Sequence, residues 1–206
     1  MSRLIAFGCS VTYGHGLPDC YTPPTGFGNK PSEFAWPSLL GKNLSREVVN
    51  LGSPGSGNLE ILYKLLQYNF QKDDFCVVHW SFYDRIDLVR LNPDKIYRIN
   101  VEDIDKEFLS EKGYITHTNI RNYMVIHHAA LYLTKINVPY YFIDMNHTDN
   151  IPSFLKVKYY DTHNIYQFFT IDRALDNSHP GIESHKKFTS YLYNKIMLLR
   201  LTKDPT

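Results

Sequence analysis

Gly8-Cys9-Ser10-Val11-Thr12-Tyr13-Gly14 is the most informative stretch of the sequence, and it directly follows the apolar run Arg3–Phe7. A short apolar run of this kind predicts a buried β-strand. Gly8 permits a tight exit from the strand, where a side chain would clash. Ser10 then stands where a helix would begin, with its hydroxyl exposed and backbone N–H groups nearby. Such a serine fits three roles: a helix cap, part of a phosphate-binding turn, or a nucleophile beside an oxyanion hole.

The spacing of this segment does not support the phosphate-binding interpretation. No Gly-Lys-Ser or Gly-Lys-Thr follows the strand, so the P-loop pattern is not matched. Gly8, Gly14 and Gly16 have the wrong spacing for the dinucleotide-binding pattern. The helix cap and the nucleophile therefore remain as open interpretations of Ser10.

The rest of the chain alternates apolar runs with helical patterns. Three further runs predict buried strands: Glu47–Leu51, Phe75–Trp80 and Val138–Met145. Apolar residues at helical spacing predict four helices: Trp36–Leu44, Leu59–Phe70, Asn119–Ile136 and Ile182–Leu201. This alternation predicts an α/β fold, a three-layer α/β/α arrangement around a flavodoxin-like, doubly wound parallel sheet. The loops after the strand C-termini then share one rim, where open α/β sheets hold their ligands, and Ser10 belongs to that rim.

The length of 206 residues fits one domain with one sizeable core, so we expect residues 1–206 to form a single domain. Two stretches fit the alternation poorly. Residues 87–114 are charged and weakly periodic, which favours an excursion containing a short helix. Tyr13–Ser32 is rich in proline and glycine, which favours a loop that covers or walls a cleft.

Composition limits the classes of partner and compartment. The formal net charge of +1 gives no field that attracts nucleic acid or an anionic membrane, so we expect neither as a partner. Three cysteines indicate no disulfide framework, and the first residues are too short an apolar run for a signal peptide, which favours the cytoplasm. The 16 tyrosines and 12 phenylalanines fit a ligand cleft or an aromatic core equally well. The oligomeric state is left open.

A second informative segment, Asp176-Asn177-Ser178-His179-Pro180-Gly181, stands just before the last predicted helix. A carboxylate three positions before a histidine, in a turn, can fold back to orient the imidazole and stabilise its charged form. The alternative is a plain helix start, in which Asp176 or Ser178 is the cap and Pro180 lies in the first turn.

Together these segments resemble the SGNH (GDSL-type) hydrolase family. That family is named for a nucleophilic serine, a glycine and an asparagine that help to form the oxyanion hole, and a histidine. Its first block, Gly-Asp-Ser-x-Thr-x-Gly, is similar to residues 8–14, and the Asp-x-x-His of its last block is similar to residues 176–179. Its second block is similar to Asn50-Leu51-Gly52-Ser53-Pro54-Gly55, with Gly55 at the oxyanion glycine.

The resemblance implies the SGNH hydrolase fold and a Ser-His-Asp triad made of Ser10, His179 and Asp176. It also implies an oxyanion hole built from the backbone N–H groups of Ser10 and Gly55, and a mechanism through an acyl-enzyme intermediate. No metal or organic cofactor is implied. The implied function is a serine esterase acting on a short-acyl ester of a small molecule or glycan, with a carbohydrate O-acetyl group as one candidate.

The sequence departs from the family in two blocks. Cys9 replaces the aspartate before the nucleophile, and its thiol could itself be a nucleophile beside a helix N-terminus. In the third block, Tyr83 stands where the family has the oxyanion asparagine, so a third donor has to come from Tyr83, Asn58 or Ser81. This departure keeps an alternative open: a weak or inactive SGNH-fold protein that binds a glycan or serves in an assembly.

Other polar residues have structural and functional interpretations. Arg85 follows the third strand, where it could form an ion pair or turn, or contact the substrate. His127 and His128 are adjacent on a predicted helix, so they face different directions and do not suit one metal ion. His185 is expected on the surface of the last helix. We therefore expect no metal site.

Overall fold

The computed structural model describes residues 2–22, 28–89, 96–99, 112–145, 157–161 and 166–201. The strands are β1 (Arg3–Gly8), β2 (Glu47–Asn50), β3 (Phe75–Trp80), β4 (Ile86–Val89), β5 (Ile96–Ile99), β6 (Tyr140–Asp144) and β7 (Tyr160–Asp161). The helices are α1 (Ser10–Tyr13), α2 (Trp36–Leu44), α3 (Asn58–Gln67), α4 (Lys112–Lys135), α5 (Tyr166–Phe169) and α6 (Ile182–Leu201).

Five of the strands form a parallel sheet in the order β2-β1-β3-β6-β7. The central strand of the sheet is β3, which pairs with β1 so that Ile5 lies opposite Cys76 and Gly8 lies opposite His79. Every residue of β3 is buried, as is typical of a parallel strand covered by helices on both faces. This sheet confirms the predicted parallel α/β architecture.

The two faces of the sheet carry separate apolar cores. Ile5 and Phe7 of β1 belong to a cluster with residues of α3 and α4, whereas Leu4 and Ala6 belong to a cluster with residues of α2 and α6. The split follows the two-residue period of a strand, in which successive side chains point to opposite faces. The described elements therefore form three layers, with helices on both sides of the sheet.

The predicted element bounds agree best where the apolar pattern is strongest. The structure confirms β3, α2 and α6 with the predicted bounds, and α3 begins one residue earlier than predicted and ends at Gln67. Helix α4 begins at Lys112 rather than Asn119. Its first turns contain Gly113, Ile115 and Thr116, whose low helix propensity hid the true start.

The predicted excursion at 87–114 contains a β-hairpin that we did not predict. Strands β4 and β5 pair in antiparallel register, with Ile86 opposite Ile99 and Val89 opposite Ile96. The short helix expected in this stretch falls on residues outside the described ranges.

That residues 1–206 form a single domain stays a prediction. Neither α4 nor α6, nor any other helix in the described ranges, combines the length and apolar character that a membrane crossing requires.

Candidate active site

Ser10 is the first residue of α1 and sits directly behind the end of β1. Cys9 joins the two elements in an extended conformation, and no side chain caps the N-terminus of the helix. A Cβ atom at Gly8 would lie 2.1 Å from Thr12 Oγ1 and 2.9 Å from the carbonyl oxygen of His79, so this strand exit requires glycine. Ser10 is only 6% exposed, and Cys9 is buried in the core.

Asp176 and His179 meet in a turn before α6, as the sequence predicts. Asp176 Oδ1 accepts hydrogen bonds from the backbone N–H groups of Ser178 and His179, both at 3.0 Å. Asn177 takes a left-handed conformation with φ of 58°, which reverses the chain between them. The second carboxylate oxygen, Oδ2, lies 2.6 Å from His179 Nδ1.

The other imidazole nitrogen of His179 reaches the serine. His179 Nε2 lies 3.0 Å from Ser10 Oγ, so one chain of hydrogen bonds runs from Ser10 through His179 to Asp176. Partial burial disfavours the charged carboxylate, but the backbone N–H groups of His179 and Ser178 and the His179 ring outweigh it and lower the pKa of Asp176 to about 2. Asp176 is therefore ionised at neutral pH.

A second histidine, which the sequence analysis did not single out, packs against this group. The ring of His15 lies 4.7 Å from the ring of His179 in an edge-to-face arrangement, and His15 Nε2 lies 3.7 Å from Asp176 Oδ2. Burial and the nearby His179 lower the pKa of His15, and Asp176 opposes this effect in part. The sequence feature that could have pointed to His15 is its position between Gly14 and Gly16, both of which take positive φ.

Gly16 fits tightly beneath the carboxylate of Asp176. Its φ is +83°, and a Cβ atom there would lie 2.7 Å from Asp176 Cγ. Its carbonyl oxygen also accepts a hydrogen bond of 3.0 Å from the backbone N–H of Leu175. The loop after α1 therefore holds the turn that carries Asp176.

His15, Asp176 and His179 are also the described residues whose donor atoms are close enough to hold a metal ion, all within 4.8 Å of one another. Imidazole and carboxylate donors suit zinc. The donor atoms of His179 already take part in the hydrogen bonds to Asp176 and Ser10, which an ion would have to replace. The expectation of no metal site stays a prediction.

The loop after β2 is tied to the first loop by several hydrogen bonds. Ser53 N–H donates to the carbonyl oxygen of Gly8 at 2.9 Å, and Asn50 Nδ2 donates to the carbonyl oxygen of Thr12 at 2.7 Å. Asn50 Oδ1 accepts from Gly52 N–H at 2.9 Å. Gly55 lies farther along this loop, exposed and with a φ of +81°. Asn50 therefore has a structural role in joining the two loops.

In the structure, Tyr83 and Asn58, two of the expected third oxyanion donors, have other hydrogen-bond partners. The hydroxyl of Tyr83 donates to the buried carboxylate of Asp144. Both polar atoms of the Asn58 amide are hydrogen-bonded. Oδ1 accepts from Ser81 N–H at 2.7 Å, and Nδ2 donates to Asn122 Oδ1 at 2.8 Å. Tyr83 and Asn58 thus join separate elements of the core. The residue types of the third block alone do not predict these partners.

A cavity of about 220 Å³ opens beside Ser10 and His179. Arg85 lines this cavity, as the substrate-contact interpretation requires, and its Nη1 donates to Ser81 Oγ at 3.0 Å and to the carbonyl oxygen of Ser56 at 3.2 Å. The remaining lining residues that we did not predict come from the stretches after β3 and β6 and before α6: Phe82, Met145, Phe169, Thr170 and Arg173.

Solved structures of similar shape identify the architecture. A lipolytic protein of the G-D-S-L family from Desulfitobacterium hafniense is 14% identical, with a TM-score of 0.51 over 95% of this chain and 99% of that chain. A carbohydrate esterase family 2 enzyme from Myceliophthora fergusii, which carries a carbohydrate-binding domain, is 14% identical, with a TM-score of 0.54 over 95% of this chain and 65% of that chain. The chain has the SGNH (GDSL-type) hydrolase fold.

A further carbohydrate esterase, whose active site has divergent catalytic and non-catalytic binding functions, shares this SGNH fold at 16% identity, with a TM-score of 0.51 over 95% of this chain. The chain spans about two thirds of the length of each of the two carbohydrate esterases, 65% in both cases. No protein-family model matches the sequence, and no curated protein matches it.

The structure also corrects the expectation for His185 in this SGNH fold. His185 is fully buried, and its Nδ1 accepts a hydrogen bond of 3.1 Å from the backbone N–H of Trp36. His79 of β3 is buried beside the same aromatic residues, with its ring centroid 5.6 Å from that of Phe188. Burial, together with the nearby His185, lowers the pKa of His79 to about 3, and burial lowers the pKa of His185 to about 4.

Four described tyrosines of this SGNH fold donate hydrogen bonds to two buried carboxylates. Asp144 accepts hydrogen bonds from the hydroxyls of Tyr83 and Tyr160. Asp161 accepts from the hydroxyls of Tyr141 at 2.8 Å and Tyr191 at 2.7 Å. None of these tyrosines lines the cavity beside Ser10. The described phenylalanines in that cavity are Phe82 and Phe169.

Proposed function

We propose that this protein is a serine ester hydrolase with a triad of Ser10, His179 and Asp176. The observation that carries the proposal is the contact of 3.0 Å between His179 Nε2 and Ser10 Oγ, together with the contact of 2.6 Å between His179 Nδ1 and Asp176 Oδ2. A serine, an imidazole and a carboxylate linked in this order is the arrangement that activates a hydroxyl for attack on an acyl group.

We infer the mechanism from these contacts and from the family resemblance, which implies Gly55 as an oxyanion donor. His179 Nε2 takes the proton of Ser10 as Oγ attacks the ester carbonyl, and the resulting oxyanion is held by the backbone N–H groups of Ser10 and Gly55. His179 then gives its proton to the leaving alcohol, and the acyl-enzyme remains. Water deprotonated by His179 attacks this ester, and His179 returns the proton to Ser10 Oγ as the acid leaves, which restores both residues. The charge of Asp176 stabilises the imidazolium in both steps, and no cofactor is required.

His15 has a positioning role in this proposal. Its ring packs in an edge-to-face arrangement against that of His179, and its Nε2 lies 3.7 Å from Asp176 Oδ2. A lowered pKa keeps His15 neutral near pH 7, so it adds no positive charge beside His179. The imidazolium that forms during the reaction is then stabilised by Asp176 without a competing cation.

The cavity favours a short acyl group. Its volume of about 220 Å³ and its apolar side chains Phe82, Met145 and Phe169 suit a small acyl chain. The similarity in fold to two carbohydrate esterases supports an ester of a glycan or another small molecule as the substrate, and the size of the cavity suits an O-acetyl group. The sheet-edge loops that hold Ser10 and Arg85 are where open α/β sheets hold ligands.

Hydrolysis of p-nitrophenyl acetate and butyrate tests the proposal. We expect the wild type to release p-nitrophenol, Ser10→Ala to fall to the background rate, and Ser190→Ala to match the wild type. Ser190 is a suitable control because it is an exposed serine on α6 whose hydroxyl donates to the carbonyl oxygen of Lys186. Equal slow rates for wild type and Ser10→Ala would overturn the esterase proposal.

One observation favours a second candidate, an SGNH-fold protein that binds a glycan or serves in an assembly with weak or no turnover. Tyr83 replaces the family asparagine, and its hydroxyl is bonded to Asp144. Loss of one oxyanion donor typically costs roughly 10²–10³ in rate. Binding of an acetylated glycan by the wild type, with no acetate released over hours, would favour this candidate.

A further inference from the structure

We propose that Arg85 and Arg173 form an anion-binding subsite beside Ser10, so that the preferred ester carries a carboxylate or similar anionic group on its alcohol part. The inference rests on the proposed function, because it places this anion next to the bond that Ser10 attacks. Both arginines line the same cavity of about 220 Å³ as Ser10 and His179.

Each guanidinium is held in place by one of its nitrogens. Arg85 Nη1 donates to Ser81 Oγ and to the carbonyl oxygen of Ser56, and the guanidinium lies 5.3 Å from the ring centre of Phe82. Arg173 Nη1 donates at 3.1 Å to the carbonyl oxygen of Ser178, the residue before His179. The two guanidinium groups are therefore held at two parts of the cavity lining, one after β3 and one beside the turn that carries His179.

Neither charge is neutralised within the part of the chain that the structure describes. No described carboxylate pairs with Arg85 or Arg173, whereas Arg3 pairs with Asp74 at 2.7 Å. Among the described residues, no acidic side chain lines the cavity. Two cations in one partly enclosed cavity repel each other unless an anion lies between them, and guanidinium groups match the geometry of carboxylate and phosphate oxygens.

The exposure of the two side chains indicates which part of the ester they contact. Arg85 is half-buried and Arg173 is exposed, so the subsite extends from the cavity toward solvent. The short acyl group fits the apolar part of the cavity, near Phe82, Met145 and Phe169. The larger alcohol part then points outward, past the two guanidinium groups.

The test compares two acetyl esters that differ in charge, 4-acetoxybenzoate and the neutral 4-acetoxybenzamide. We expect Arg85→Gln and Arg173→Gln to lower the ratio of kcat/KM for the anionic to the neutral ester by about ten- to hundredfold each, mainly through KM. Arg173→Lys should keep part of the ratio because the charge remains. Added salt should lower the ratio for the wild type, because ions screen an exposed charge.

Arg46→Gln is the matched control, since Arg46 lies at the edge strand β2, outside this cavity, and donates to the carbonyl oxygens of Arg3 and Asp73. It should leave the ratio unchanged. An unchanged ratio in both Arg85→Gln and Arg173→Gln would overturn the subsite. Equal losses on the two esters would also overturn it, because that result assigns the arginines to the reaction or to folding rather than to the anion.

A binding measurement separates failure of the subsite from failure of the proposed function. The amide 4-acetamidobenzoate has the shape of the anionic ester but resists hydrolysis, and 4-acetamidobenzamide is its neutral counterpart. Calorimetric titration should show that the wild type and Ser10→Ala prefer the anion, and that Arg173→Gln does not. If this preference exists while no ester is hydrolysed, the subsite stands and the hydrolase proposal fails.

Discussion

His179 Nε2 lies 3.0 Å from Ser10 Oγ although 169 positions separate the two residues in the chain. Ser10 is placed by the exit from β1, and His179 is placed by the turn before α6. Helix α6 is in turn packed onto the sheet through Phe188 and Leu192, which share a buried cluster with Trp36 of α2. The contact at the candidate site therefore depends on how the last helix of the described chain packs against the first strand.

Asp176→Asn tests the carboxylate of the triad. Asparagine can still accept the backbone N–H groups of Ser178 and His179, but it carries no charge to stabilise the imidazolium and favours the wrong tautomer of His179. We expect kcat for p-nitrophenyl acetate to fall by roughly 10³–10⁴ while the melting temperature changes little. A loss of less than tenfold would contradict the role of Asp176.

Gly16→Ala tests how tightly the loop after α1 supports the carboxylate. The added Cβ would lie 2.7 Å from Asp176 Cγ at a φ of +83°, so Asp176 must move. We expect a large loss of kcat, on the order of 10²-fold for a displacement of about 1 Å. Gly41→Ala is the control: its Cβ would lie 2.0 Å from Val48 Cγ2, far from the triad. That variant should lose stability and keep kcat per folded molecule.

Tyr83→Phe distinguishes a structural role of Tyr83, as the hydrogen-bond donor to Asp144, from its expected role as an oxyanion donor. Removal of a hydroxyl that donates to the buried carboxylate of Asp144 should lower the free energy of unfolding by about 1–3 kcal/mol. The kcat of the folded variant should stay close to that of the wild type. A fall of 10²–10³, roughly the effect of losing an oxyanion donor, would instead restore Tyr83 to the active site.

The sequence predicted those parts of the fold and site that depend on local patterns. The parallel sheet, α2, α6 and the turn with Asp176 follow from apolar periodicity, from turn residues and from the family blocks. What it missed depends on contacts between distant segments. Tyr83 occupies the asparagine position, but its direction is set by Asp144, which lies 61 residues later.

The burial of His185 was hidden for a related reason. The spacing of apolar residues predicts which apolar side chains of a helix are buried. Helix α6 also buries three polar residues, Ser184, His185 and Thr189, which that spacing does not predict. The Nδ1 of His185 accepts from Trp36 N–H, and Thr189 Oγ1 donates to the carbonyl oxygen of His185 at 2.8 Å. No pattern within the helix indicates a partner 149 residues away.

The buried histidines predict a loss of stability in acid. Burial lowers the pKa of His79 to about 3 and that of His185 to about 4, from 6.5 in the unfolded chain. Below pH 6.5 the unfolded state therefore binds more protons than the folded state. The contribution of the two neutral histidines to stability is complete above that pH, and it is lost as the pH falls toward 4 and then 3. Each histidine costs up to ~1.4 kcal/mol of unfolding free energy per pH unit.

Urea unfolding between pH 7.5 and pH 5 measures this effect. His79→Leu keeps a similar volume among the aromatic rings, and His185→Asn keeps an acceptor for the backbone N–H of Trp36. Each variant should show a shallower fall in unfolding free energy than the wild type. His128→Asn, at an exposed position of α4, should follow the wild type. Parallel curves for all of these proteins would contradict the assignment.

Covalent labelling of Ser10 is the most direct measure of its proposed role as the nucleophile. A fluorophosphonate probe should add to the wild type once per chain, and fragmentation of the tryptic peptide 4–42 should place the adduct on Ser10 rather than on Cys9. His179→Ala should react far more slowly, because it removes the base at 3.0 Å from Oγ, and Ser10→Ala should not react. An adduct on another residue, or equal labelling of wild type and Ser10→Ala, would contradict the account.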